Sequence, residues 1–153
     1  MHTQNEIRVN APLETVFALG AEIGRWAEIL PHYRRVTVTE DDGRVKQAEM
    51  AAFRHFGSLP FPVRWRTSQV LLPEEGRIIF FHTGGITRGM YVEWVLTPEA
   101  DGSVRVVIAH ELRYPLPFLT GWFARYIVGN IFIHHIAGRT LKRVKEIAEA
   151  SSE

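Results

Sequence analysis

Three side chains able to act as acid, base or hydrogen-bond donor are the candidates for chemistry in this chain: Tyr33, Gln69 and His110. A tyrosine hydroxyl and an imidazole near its ordinary pKa can carry a proton, whereas the Gln69 amide donates without bringing a charge. The chemistry open to such a set is polarisation of a carbonyl or a dehydration, with His110 as the proton carrier. Nucleophilic hydrolysis finds no support, because no G-x-S-x-G elbow occurs, and Gly84-Gly85 reads as a turn and not as a phosphate loop. The chain contains no cysteine, which removes disulfides, thiolate metal sites and a cysteine nucleophile. His134 and His135 are adjacent, hence about 100° apart on a helix, and lack the i, i+4 partner that brings two imidazoles to one metal. No metal and no cofactor are expected.

Alternation along the strands decides where these groups point. Met90, Val92, Trp94 and Leu96 share one face of a strand, and Val104, Val106, Ile108, His110 and Leu112 share one face of the next. Phe61, Val63, Trp65, Thr67, Gln69 and Leu71 do the same further upstream, with Arg64, Arg66 and Ser68 outward. Thr67, Gln69 and His110 are therefore polar groups on an apolar interior. Each needs a partner, a water or a ligand, since an unpaired buried polar group costs roughly 1–3 kcal/mol.

The elements that carry these faces follow from turn signals. Glu6 to Asn10 reads as a first strand, followed by a short helix after Pro12 and another from Glu22 to about Ile29. From Tyr33 to Arg113, turns at Asp41-Asp42-Gly43, Gly57-Ser58-Leu59-Pro60, Pro73-Glu74-Glu75-Gly76, Thr83-Gly84-Gly85 and Asp101-Gly102 divide an antiparallel meander. With the first strand this makes a sheet of about seven strands, the short connections excluding parallel crossovers. The last segment, Pro117 to Glu149, reads as a single helix with Leu119, Phe123, Tyr126, Asn130, Ile133, Ala137, Leu141, Val144 and Ala148 along one side. At about 1.5 Å per residue it is roughly 45 Å long, suited to lying across a broad sheet. The fold class is α+β, with the sheet wrapped around the C-terminal helix.

Bulk properties narrow the function classes. Residues 1–153 suffice for one well-buried domain and are too few for two of ordinary size. The formal net charge of +1 and the dispersed basic residues give no drive towards nucleic acid. Residues 1–10 carry neither a basic leader nor an apolar run, so a cytoplasmic location is expected. Tyr126 to Gly138 lacks Asp, Glu, Lys and Arg, but it is shorter than the ~20 residues of a membrane span and contains Asn130, His134 and His135.

A strand, a two-helix elbow, a six-strand meander and a long C-terminal helix form the helix-grip arrangement. The sequence resembles the START-like (SRPBCC) superfamily, in particular its polyketide cyclase/dehydrase and coenzyme-Q-binding-protein branch. The residues that carry the likeness are Val9 to Phe17, Ile23-Gly24-Arg25-Trp26, Leu30-Pro31-His32-Tyr33, Gly89 to Trp94 and Arg139 to Ile147. The resemblance implies a hollow between sheet and helix, used in the superfamily for lipid or quinone binding, hormone sensing or polyketide cyclisation. It also implies that Trp26, Tyr33, Trp65 and Trp94 surround that hollow. The competing reading of the tryptophans is ordinary core. Four residues after the middle tryptophan, where aromatase/cyclase members place an arginine proposed to act on the enolate, this chain has Gln69. An amide holds no positive charge against a developing enolate.

The expected site is therefore a cavity lined by Trp26, Tyr33, Trp65, Gln69, Met90, Trp94, His110, Phe123 and Asn130. It would hold a hydrophobic small molecule such as a lipid, quinone or polyketide-like aromatic. An aromatase/cyclase or dehydratase using the same hollow is the alternative, with Tyr33, Gln69 and His110 as its candidate catalytic residues. A third reading is an interaction module that dimerises through the apolar first half of the long helix. The apolar connection from Phe56 to Pro62, with Leu59 and Phe61, reads either as a plug on the core or, with Phe118 and Trp122, as a cavity rim where the protein would also touch a membrane.

Overall fold

The computed structural model describes residues 2–56, 59–85, 87–112 and 134–152. Within them lie seven strands: β1 (His2–Val9), β2 (Tyr33–Asp41), β3 (Val45–Phe56), β4 (Leu59–Leu72), β5 (Arg77–Gly85), β6 (Met90–Pro98) and β7 (Val104–Leu112). Three α-helices accompany them: α1 (Leu13–Ala21), α2 (Trp26–Ile29) and α3 (His134–Ala150). Short 3-10 turns cover Ile23–Arg25 and Pro73–Glu75. The strands form one antiparallel sheet in the order β1-β7-β6-β5-β4-β3-β2. β1 and β2 are thus neighbours in the chain but opposite edges of the sheet. The elbow of α1 and α2 must cross the sheet to join them.

Strict alternation fills one face. In β6 and β7 every second residue from Met90 to Leu96 and from Val104 to Leu112 is buried, and the residues between are half-buried or exposed. On this face α3 places Ala137, Leu141, Val144 and Ala148, all buried within one core with the sheet. The polar face of α3 anchors its outer end: Lys145 Nζ donates to the Arg8 carbonyl at 2.7 Å, and Glu149 Oε1 accepts from the Asn10 amide at 3.0 Å. The fold is the α+β helix-grip arrangement. The segment from Pro117 to Ile133, expected to continue α3 towards its N-terminus, lies outside the described residues.

Two boundaries differ from the turn signals. The apolar stretch expected as a surface connection belongs to the ladder instead: β3 and β4 pair as far as Phe56 with Leu59, leaving two residues between them. Pro60 and Pro62 can sit in β4 because β5 pairs with it only from Trp65 onwards. Among the described residues, the edge where their missing N–H groups would point has no strand to receive them. The second boundary is Thr83-Gly84-Gly85, which continues β5 past a register shift instead of ending it. Gly85 has φ +89°, and a Cβ there would lie 2.5 Å from the Arg64 carbonyl, so the end of β5 beyond the bulge requires glycine.

Candidate functional site

The C-terminus of α1 sets the floor of the site. A helix leaves its last four carbonyls without intrahelical partners. Here tertiary donors satisfy three of them and the chain itself the other. Ala18 O accepts from the Glu22 amide at 3.0 Å, Leu19 O from Trp26 Nε1 at 2.9 Å, Gly20 O from Gln69 Nε2 at 3.2 Å, and Ala21 O from Lys46 Nζ at 2.9 Å. Lys46 adds a cation where the helix dipole is negative. The Trp26 bond has a further effect, because an indole tied at its N–H presents a fixed face.

That face is the hub of an aromatic chain. Trp26 stacks on Trp94 with ring centroids 5.9 Å apart and meets Tyr33 edge-on at 5.1 Å. Tyr33 meets Trp65 edge-on at 5.9 Å, and Trp65 stacks on His82 at 5.9 Å with planes 17° apart. These rings, together with Met50, Phe80, Met90, Val92, Ile108, His110, Ile136, Ala137 and Thr140, line a cavity between the sheet and α3. Its volume open to the centres of water-sized molecules is about 50 Å³. Small-molecule sites are typically clefts of roughly 300–1,000 Å³, so a bound polycyclic molecule requires the cavity to expand. Met50 and Met90 are the lining side chains best able to give, being long and unbranched.

The structure thus brings Trp26, Tyr33, Trp65, Met90, Trp94 and His110 to one cavity. Gln69 does not line it. Fully buried, the amide is turned to α1, where it holds Gly20 O, and its Oε1 has no hydrogen-bond partner. The alternation of β4 indicates the inward face but not that α1, and not the cavity, covers this position. Phe123, Asn130, Phe118 and Trp122 lie outside the described residues, and Phe56, Leu59 and Phe61 are described only as part of the β3–β4 ladder.

Two polar features of the lining are absent from the expected site. The first is His82, whose Nδ1 is 2.6 Å from the Thr87 hydroxyl. Burial, assisted by the neighbouring His110, lowers its pKa to about 3. His82 is therefore neutral near pH 7, and Nε2 is the ring atom without a partner among the described residues. The signal for it was present in the inward parity of Ile78, Phe80 and His82, but it was masked by reading His82 as the end of its strand. The second is a chain through Thr140. Its hydroxyl donates to the Ile136 carbonyl at 2.7 Å and stands 2.9 Å from His32 Nε2, and it lies beside the Tyr33 phenol. Burial pushes the Tyr33 phenol well above its ordinary range, against the pull of Thr140. Burial first, then the charge of Arg139, lowers His32 to about 4.

The described lining contains no Asp, Glu, Lys or Arg, and its His82 is neutral near pH 7. It offers a hydroxyl at Tyr33 and two imidazoles, His82 and His110, across an aromatic wall. Such a surface favours an apolar molecule with one or two oxygen substituents at the histidine end. The sequence profile described as polyketide cyclase / dehydrase and lipid transport matches residues 9–131, and the chain belongs to that family. A curated relative, the granaticin polyketide synthase bifunctional cyclase/dehydratase of Streptomyces violaceoruber, is 27% identical over 110 residues. That stretch is 71% of this chain but 33% of the relative, so the chain spans about a third of the relative's length. Among solved structures, the Zhui aromatase/cyclase from Streptomyces sp. R1128 superposes with a TM-score of 0.84 at 18% identity, covering 100% of this chain and 96% of that one. A protein of Thermus thermophilus superposes with a TM-score of 0.82 at 23% identity, covering 100% of both chains. At these identities the likeness shows the fold.

Proposed function

We propose that the protein binds a hydrophobic small molecule, such as a lipid, quinone or polyketide-like aromatic, between the sheet and α3. The observation that carries this is the described lining: three tryptophans, a tyrosine, a phenylalanine and two methionines converge on one space, and among the described residues no Asp, Glu, Lys or Arg joins them. Family membership supports a ligand-binding use of the fold. Filling the space tests it. Ala137 is buried on α3 and lines the cavity. Ala137→Leu is expected to keep or raise Tm while weakening binding of the neutral fluorescent probe N-phenyl-1-naphthylamine at least tenfold. Undiminished binding in a folded Ala137→Leu protein would place the ligand elsewhere.

A second reading, a cyclase or dehydratase acting in the same cavity, is favoured by the sequence match to a cyclase/dehydratase and by the donors at Tyr33, His82 and His110. In that reading His110 moves the proton and Tyr33 donates to the developing oxyanion, contributions of the kind that removal of a single donor reduces by about 10²–10³ in rate. Ring closure or dehydration of a reactive poly-β-ketone mimic by wild type, abolished in His110→Ala, would select it. Absence of turnover with retained probe binding selects the carrier.

A further inference from the structure

A second recess lies on the far side of the His32–Thr140 contact, facing away from the cavity. It is an open groove of about 450 Å³ between the loop before β2, the end of β3 and the outer face of α3, lined by Pro31, His32, Phe53, Arg139, Lys142 and Arg143 with Glu146. Its cations are not equivalent. Arg143 is engaged, its Nε donating to the Ile29 carbonyl at 3.1 Å and its guanidinium 3.2 Å from Glu146. Arg139 and Lys142 are exposed, and among the described residues neither has an ion-pair or hydrogen-bond partner. Three residues apart on α3, they face the same way. Across from them Pro31 and Phe53 form an apolar shelf, which is fixed in place because the Phe53 amide donates to the His32 carbonyl at 3.0 Å. Arg34 lies 5.2 Å from the Phe53 ring centre and adds a third positive charge beside the shelf.

We propose that this groove takes the anionic head of an amphipathic ligand, its phosphate or carboxylate resting on Arg139 and Lys142 and the first carbons of its stem on Phe53 and Pro31. The two walls make different demands that such a molecule meets at once: a cation pair with no ion-pair partner among the described residues, the nearby Glu146 being held by Arg143, recruits an anion, and the adjoining apolar surface gains from covering by methylene groups. Inorganic anions satisfy the first wall alone and neutral alcohols the second alone. Binding weakens with ionic strength, because both cations are exposed to screening. Groove binding needs no ligand in the cavity.

The test is an amide NMR titration with octyl phosphate below its micelle concentration, alongside inorganic phosphate and octanol. The expected result is saturable shifts at residues 32, 53 and 139–146, with inorganic phosphate and octanol each binding at least tenfold more weakly. The double variant Arg139→Gln, Lys142→Gln, which alters only exposed side chains, is expected to lose at least tenfold in octyl phosphate affinity while still binding N-phenyl-1-naphthylamine as wild type does. Unchanged octyl phosphate affinity in the double variant overturns the proposal. So does inorganic phosphate binding as tightly as octyl phosphate, or shifts confined to cavity residues such as Met50, Met90 and Ile108. Failure of the naphthylamine probe with the wild type would count against the cavity reading and leave the groove standing.

Discussion

Among the described residues the Gln69 side chain makes one hydrogen bond, to Gly20 O, and leaves Oε1 buried without a partner. Two effects therefore oppose each other in Gln69→Met: Gly20 O loses its donor, at about 1–3 kcal/mol, and an orphaned acceptor of comparable cost disappears. The expected change in urea-unfolding stability is within about 1 kcal/mol of zero. Gln69→Glu is different, because a carboxylate beside a carbonyl has no donor to give. Its folded-state pKa must rise above the unfolded value, so stability is present while the group is protonated and is lost as pH rises through the folded pKa. Relative to wild type at each pH, Gln69→Glu is expected to be markedly less stable at pH 8 than at pH 5. The buried histidines act in the opposite direction in the wild type. His32 and His82 are held at about 4 and about 3, below the ordinary 6.5. The unfolded chain thus binds more protons than the folded one between pH 6.5 and those values. Folding stability is fully present above about pH 7 and falls as pH drops from 6.5 towards 4, by up to roughly 2–3 kcal/mol per pH unit for the pair. Urea midpoints at pH 7.5, 6 and 5 measure it, and a flat profile would mean that these imidazoles are solvated.

At the scale of elements, α1 is held by its C-terminus. Gly20 is in direct contact with the cavity wall: a Cβ there would lie 2.9 Å from Ile78 Cδ1 and 3.0 Å from Trp94 Cζ3. Gly20→Ala must push one of them aside, an overpacking of the kind that costs about 1–3 kcal/mol. It is expected to lower Tm and shift the tryptophan emission, the second effect showing that Trp94 is the group displaced. Elements of this kind were legible in the sequence to different degrees. The faces of β4, β6 and β7 could be read because a period of two over five or more residues admits one assignment. The α1 cap could not be read, since Gln69 and Lys46 reach it from strands 49 and 25 residues away. The stretch from Phe56 to Pro62 misled because Gly57 and two prolines signal a loop, and what shows why prolines are tolerated in a strand there is that, among the described residues, β4 has no second neighbour before Trp65. His82 was hidden by the glycine pair after it, which marks a bulge and not an end.

For the molecule as a whole, the sheet order makes the two edges β1 and β2 converge on the elbow. The tightly bonded C-terminus of α1 then carries Trp26 into the space under α3. No described helix is long and apolar enough to cross a membrane. The claim on which the account turns is that this space accepts an apolar guest by moving its methionines. Besides Met1 the chain has two methionines, Met50 and Met90, and both line the cavity. A methyl NMR titration with N-phenyl-1-naphthylamine, on protein labelled at the methionine methyl groups, therefore reads the cavity alone. The account predicts saturable one-to-one binding that shifts the Met50 and Met90 signals together and leaves Met1 unmoved. Binding that leaves both internal methyl signals in place, or no saturable binding at all, would contradict it.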